Sequence, residues 1–211
     1  MRVTQFFEGG YFHVYNRGVD KRAVFLRYGQ YLRFIQTMRL ILFTGSATPR
    51  FKTNQSLALN RKVRIISYCL MPNHYHFLLQ EIESGGITEF MHKLDTSYTK
   101  YFNMNSHRSG RLFEYTFKAK VIESDDLFLH ISRYIHLNPV IATLVEKPEE
   151  WKWSSYREYV DIESTKLCDC STIQYFFKDT SSYKEFVTDQ IEYAKLLKDI
   201  TDVKHEDALF L

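Results

Sequence analysis

His74 and His76 stand one residue apart in the stretch Met71-Pro-Asn-His-Tyr-His-Phe-Leu-Leu-Gln80. In an extended segment side chains alternate between faces, so His74, His76, Leu78 and Gln80 point one way and Tyr75, Phe77 and Leu79 the other. The second set reads as a core face. The first presents two imidazoles side by side on a rigid element, a geometry suited to holding one metal ion. Such a pair also occurs in proteins without metal, so its meaning depends on what else the chain brings to it.

A second group of chemically capable side chains falls on residues 124–138. Ser124-Asp-Asp126 is a helix start, with a capping hydroxyl followed by carboxylates where the helix dipole favours them. The helix is expected to run to Asn138, because Pro139 disfavours helical geometry in its predecessor. Leu127, Ile131, Tyr134 and Asn138 are spaced four, three and four apart and share one face. A core stripe ending in a tyrosine and an asparagine has two readings. Both polar groups are simply satisfied by nearby partners, or they face a site. In the second reading Asn138 is an oxygen ligand beside His74 and His76, and Tyr134 hangs over the metal. A phenol, with a reference pKa of about 10, is a weak nucleophile. Beside a divalent cation that also polarises a phosphate oxygen, in-line attack on phosphorus becomes feasible.

Charge supplies an independent hint about the substrate. The net charge is only +3, yet Lys21–Gln80 contains ten Lys and Arg and no Asp or Glu. Residues 1–122 carry 18 basic and 7 acidic side chains, and residues 123–211 carry 10 and 18. The front portion reads as a polyanion-binding surface, against the alternative of an ordinary solvated basic face. Arg17, Lys118 and Lys120 are the candidate phosphate contacts, with His130, one turn before Tyr134, as a further one. His136, two residues after Tyr134, faces away from it and reads as structural or superficial. Tyr98, Tyr101 and Tyr115 are rival nucleophiles on chemistry alone, but all three fall on apolar faces and read as packing. The three cysteines, with Cys69 in an apolar strand and Cys168-Asp-Cys170 poorly spaced for zinc, suggest a reducing compartment.

These residues need elements to position them. Residues 9–17 read as a first strand, Arg27–Phe43 as a helix, and 44–60 as a polar loop whose Arg50 and Lys52 are within the basic run. Val63–Leu70 is a second strand, and Pro72-Asn73 turns into the strand bearing the histidines. After Gly85-Gly86, Ile87–Asn103 returns to helical spacing. Arg111–Ile122 alternates strictly and reads as a fourth strand with Lys118 and Lys120 on its open face. The order β-α-β-β-α-β-α implies an α+β fold, a ferredoxin-like antiparallel sheet with helices on one side. Trp151-Lys-Trp-Ser-Ser-Tyr156 reads as an aromatic docking stretch, and Tyr175–Lys198 as one or two acidic helices. No apolar run approaches a membrane span, and the N-terminus lacks a signal-peptide apolar region, so a cytoplasmic location is expected.

Four blocks, Tyr11-Phe-His-Val-Tyr-Asn-Arg-Gly18, Met71-Pro-Asn-His-Tyr-His76, Ser109-Gly-Arg-Leu-Phe113 and Arg133-Tyr-Ile-His-Leu-Asn-Pro-Val140, occur in this order. The chain resembles the HUH single-strand DNA transposases, and more narrowly the REP-associated tyrosine transposases and their insertion-sequence relatives. The resemblance covers about residues 8–157 and defines a transposase domain, 1–157, followed by an acidic and helical C-terminal extension, 158–211. The stretch 44–61 is longer than is usual in the family. The resemblance implies that His74 and His76 are the metal pair, Tyr134 the single nucleophile and Asn138 the polar ligand. It also implies Mg²⁺ or Mn²⁺, single-stranded DNA with hairpin structure as the partner, a 5′-phosphotyrosine intermediate, and in some relatives a homodimer. Two alternatives remain at this point: a non-catalytic hairpin DNA- or RNA-binding protein derived from a mobile element, and a metal phosphoesterase using activated water.

Overall fold

A computed structural model describes residues 4–46 and 58–193. Arg50 and Lys52, most of the polar loop around them, and the end of the stretch Tyr175–Lys198 lie outside the described residues. The sheet has four strands: β1 (Tyr11–Arg17), β2 (Val63–Met71), β3 (His74–Glu81) and β4 (Lys118–Ile122). They lie in the order β2-β3-β1-β4, every neighbouring pair antiparallel. Helices α1 (Tyr28–Thr44) and α2 (Gly86–Asn105) follow β1 and β3, and α3 (Asp125–Ile141) follows β4. The expected order of elements is thus observed, and the fold is α+β.

The two central strands are apolar on both faces, and this decides the layering. Phe12, Val14, Tyr75, Phe77 and Leu79 meet α1 through Phe34 and Met38 and α2 through Phe90, Leu94 and Tyr98. Ile66, Cys69, Met71 and Leu78 look the other way, onto Phe128, Ile131 and Ile135 of α3. The expectation of helices on one side therefore holds for α1 and α2 and is corrected for α3, which covers the opposite face. A strand that buries both faces needs cover on both. A bulge between Ile65 and Ser67 of β2 keeps this division in phase: Ile65 and Tyr68 serve the first core, Ile66 and Cys69 the second.

Other boundaries moved for identifiable reasons. The ladder of β4 covers only Lys118–Ile122, not the expected Arg111–Ile122. Asn16 Nδ2 donates to the carbonyls of Tyr115 (2.9 Å) and Thr116 (3.2 Å), which takes that stretch out of strand pairing. Tyr115, expected to pack, is 56% exposed. Helix α3 passes through Pro139 to Ile141 instead of stopping at Asn138. Pro139 sits in the last turn, where the hydrogen bond it forfeits is one of the few the helix would still gain. At the start of α3, Ser124 caps as expected, its Oγ accepting from the Leu127 amide at 3.2 Å.

The segment after α3 seals the free edge of β2. Leu70 donates its amide to the Trp153 carbonyl (2.9 Å), Ser155 to that of Tyr68 (3.0 Å), and Trp151 Nε1 to that of Leu70 (3.0 Å). Trp153 stacks on Tyr31, ring centroids 4.6 Å apart. Three short helices follow, α4 (Tyr156–Tyr159), α5 (Ser171–Gln174) and α6 (Thr180–Thr188). Tyr159, Ile173, Tyr183 and Val187 from this region complete the second core against α3. No helix among the described residues is long and apolar enough to cross a membrane.

A titratable side chain is knotted into each core. In the first, Tyr75 donates its hydroxyl to Asp95 of α2 at 2.8 Å, and Asn16 Nδ2 approaches the same carboxyl at 3.3 Å. Burial pushes Asp95 up to about 8, against the pull of those two donors. The folded protein thus keeps a proton that the unfolded chain releases near its ordinary value of 3.8. The stability this contributes is present in acid and is lost as pH rises toward about 8. In the second knot, His136 is fully buried between Tyr183 and Ser155, and burial holds it down to about 3. Its sign is opposite: stability is present above the ordinary histidine value of 6.5 and is lost as pH falls below it. Between pH ~4 and ~6.5 the Asp95 slope is opposed by His136 and by His13 and His76, which burial also holds low, and from ~6.5 to ~8 Asp95 is the one of these four that acts. Denaturant unfolding should therefore show stability falling across that upper window, by up to about 1.4 kcal/mol per pH unit. Asp95→Asn, which keeps an acceptor for Tyr75, should flatten that limb; an unchanged slope would refute the assignment.

Candidate active site

Strand β3 begins directly at His74, after a Pro72-Asn73 turn pinned from three sides. The amides of Gly18 and Val24 donate to the carbonyls of Asn73 and Pro72, both at 2.8 Å, and Asn73 Nδ2 donates to the Lys21 carbonyl at 3.2 Å. Asn73 Oδ1 lies 2.7 Å from His74 Nδ1 and takes its proton. The other ring nitrogen of a neutral imidazole is then a lone-pair donor. That atom, Nε2, faces Asn138 Oδ1 of α3 at 3.2 Å. Two acceptor atoms converging this closely, one from the strand and one from the helix, are a fit for a divalent cation between them.

His76 completes the donor set. It is 5% exposed, with its ring edge-on to that of His74 at 4.9 Å between centroids. Its Nδ1 pairs with Nε2 of His13 at 3.0 Å, and the two rings stack at 5.1 Å and 12°. A hydrogen-bond partner of this kind fixes ring orientation and tautomer and leaves Nε2 to face the site. Burial, then the neighbouring His74, His13 and Arg17, hold His76 well below the usual histidine range. Both features favour a neutral imidazole, the form that ligates metal. Among the described residues no group of three His, Cys, Asp or Glu side chains is placed to hold a metal. The fit rests on two imidazoles and the amide oxygen of Asn138.

Tyr134 enters from α3, half-buried. Its ring stands edge-on to His76 at 5.3 Å and 84°, and to His13 at 6.2 Å. Helical spacing places Asn138 one turn further along the same face. The structure thus brings together His74, His76, Tyr134 and Asn138 from two elements, with His74 and Asn138 64 residues apart in the chain. Arg17 lies opposite His74 in the β1–β3 register. Lys118 and Lys120 sit on the edge strand opposite Tyr15 and His13. All three therefore border the site. His130 is exposed on α3, and its Nδ1 accepts from Arg133 Nη2, whose guanidinium rests on Phe186 of α6.

Sequence reasoning missed His13 and Tyr15. Alternation along β1 groups Tyr11, His13, Tyr15 and Arg17 on one face, as it groups the histidines of β3. The missing knowledge was that these two strands are neighbours, pairing Tyr15 with His76 and Arg17 with His74.

A structure described as a REP-associated tyrosine transposase bound to a REP hairpin matches with a TM-score of 0.55 at 15% identity, covering 80% of this chain and 96% of that one. This likeness concerns the fold. No curated protein matches the chain. The family model described as "Transposase IS200 like" matches residues 32–138, just over half of the chain and a span that includes both histidines, Tyr134 and Asn138. The chain belongs to the IS200-like transposase family.

Proposed function

We propose that the protein is a metal-dependent transposase that cleaves and rejoins single-stranded DNA beside hairpins. The observation that carries this reading is the junction of β3 and α3, where His74 meets Asn138 at 3.2 Å and His76 meets Tyr134 at 5.3 Å between rings. In this scheme His74, His76 and Asn138 hold Mg²⁺ or Mn²⁺. When bound, the ion supplies charge neutralisation at the scissile phosphate and favours the phenolate form of Tyr134. Tyr134 Oη attacks phosphorus in line. The bond to the 3′-oxygen breaks, that oxygen takes up a proton, and the phosphate stays on Tyr134 as a 5′-phosphotyrosine. Attack on this link by a 3′-hydroxyl reverses the chemistry and rejoins a strand.

The remaining residues serve position and charge. His13 holds the ring of His76, and Arg17, Lys118 and Lys120 border the site with positive charge suited to a DNA backbone. The region beyond residue 157, which we take as an appendage to the catalytic domain, supports α3 from beneath through Tyr159 and Tyr183. It thereby steadies the helix that carries the nucleophile.

The test is a labelled single strand with a hairpin, incubated with the protein and Mn²⁺. A protein–DNA adduct stable to denaturation should form, fail to form when a chelator is present from the start, and fall at least about 100-fold in His76→Ala. Salt-dependent hairpin binding with no adduct under any divalent ion would make the protein a binding module instead.

A further inference from the structure

We infer that Tyr115, Lys118 and Tyr15 form a subsite for an unpaired nucleotide beside the scissile phosphate, its base stacked on Tyr115 and its phosphate on Lys118. The inference rests on the functional reading above and names part of the substrate it requires. Three observations carry it.

First, the side chains form a track that ends at the candidate nucleophile. The Tyr134 ring meets His76 at 5.3 Å, and His76 stacks on Tyr15 at 5.9 Å. Lys118 Nζ stands over the Tyr15 ring at 5.9 Å and over the Tyr115 ring at 4.8 Å. A strand held at Tyr134 therefore meets alternating aromatic faces and positive charge as it leaves, the combination that binds single-stranded nucleic acid without regard to sequence. Second, Tyr115 is presented by an anchored backbone. Asn16 Nδ2 donates to the carbonyls of Tyr115 and Thr116, and the Glu114 backbone amide donates to the Arg17 carbonyl at 2.8 Å. A ring left 56% exposed on a pinned segment gains nothing from the core and loses little entropy on stacking a base. Third, the charge is complementary. Lys118 and Lys120 of β4 border the site along the sheet edge and Arg17 lies across β1, whereas a protein or lipid partner would ask for a wider apolar patch than one tyrosine supplies.

The experiment measures affinity for a hairpin carrying a single-stranded flank and for the same hairpin with abasic flanking residues, at fixed salt. Tyr115→Ala should weaken binding of the flanked hairpin about ten-fold or more and leave the abasic version unchanged. Tyr115→Phe, which keeps the aromatic face, should bind both as the parent does. Lys118→Gln should lower the salt slope by about one. Equal affinities of Tyr115→Ala and parent for the flanked hairpin, or equal losses in the Ala and Phe variants, would overturn the subsite while the parent still forms its adduct. A parent that binds neither hairpin would sink the functional reading and the subsite with it.

Discussion

Tyr134→Phe abolishes strand cleavage and the covalent adduct together, by more than about a thousand-fold, while hairpin affinity stays near that of the parent. The substitution removes one oxygen and leaves the ring. The edge-on contacts of that ring with His76 and His13 remain, as does its packing against the second core, so the fold has no reason to change. What disappears is the only protein atom in the scheme that bonds to phosphorus. The rival tyrosines cannot stand in for it. The Tyr98 hydroxyl is buried and donates to the Val24 carbonyl at 2.6 Å. Tyr101 lies on α2 with the Arg33 guanidinium over its ring, on the face of the sheet away from the histidines. Tyr115 is exposed, yet it stands at the far end of the aromatic track, beyond Lys118. A water-activated phosphoesterase gives a different pattern, in which cleavage survives Tyr134→Phe and no adduct forms in either protein.

The largest effect on stability is expected at His136. Ser155 Oγ accepts from the Tyr68 amide at 2.9 Å and donates to the Tyr68 carbonyl at 3.2 Å. It is therefore an acceptor toward His136 Nε2, 2.8 Å away, which places the imidazole proton on Nε2. His136 Nδ1 then accepts from the Tyr183 hydroxyl at 2.7 Å. One ring thus joins α3, α6 and the segment that closes the edge of β2. His136→Ala removes a fully buried ring, opens a cavity and strands two polar partners, at a cost of about 3–5 kcal/mol. Tyr183→Phe keeps the volume and loses one hydrogen bond, about 1 kcal/mol. Denaturant midpoints at constant m-value separate the two. A loss below about 1 kcal/mol for His136→Ala would show that the knot is not what ties the C-terminal helices to α3.

Much of this arrangement was legible in the residues because each functional group sits on an element with its own period. Tyr75, Phe77 and Leu79 identify the buried face of β3 and so turn His74 and His76 the other way. Leu127 and Ile131 set the face of α3 that Tyr134 and Asn138 share. What was not legible depends on which elements are neighbours. His13 is a partner of His76 only because β1 pairs with β3, and alternation within a strand carries no record of its partner. The second helical layer follows from Ile66, Cys69, Met71 and Leu78 being apolar alongside the opposite face. Periodicity registers such a strand only as a continuous apolar run. The shortened β4 follows from one side chain, Asn16, competing with the ladder for two carbonyls, and Tyr115 is exposed as a result. Pro139 ends the hydrogen bonding expected of a helix interior but not the helix, since a last turn has little left to lose.

The division of labour between strand and helix stands or falls on where the DNA becomes attached. The adduct formed with Mn²⁺ and a hairpin-bearing single strand is to be digested and its peptides mapped by mass spectrometry. The expected product is a nucleotide linked through its 5′-phosphate to the peptide containing Tyr134, with a free 3′-hydroxyl on the released fragment. Attachment at any other residue, or a cut strand with no peptide attached, would contradict it.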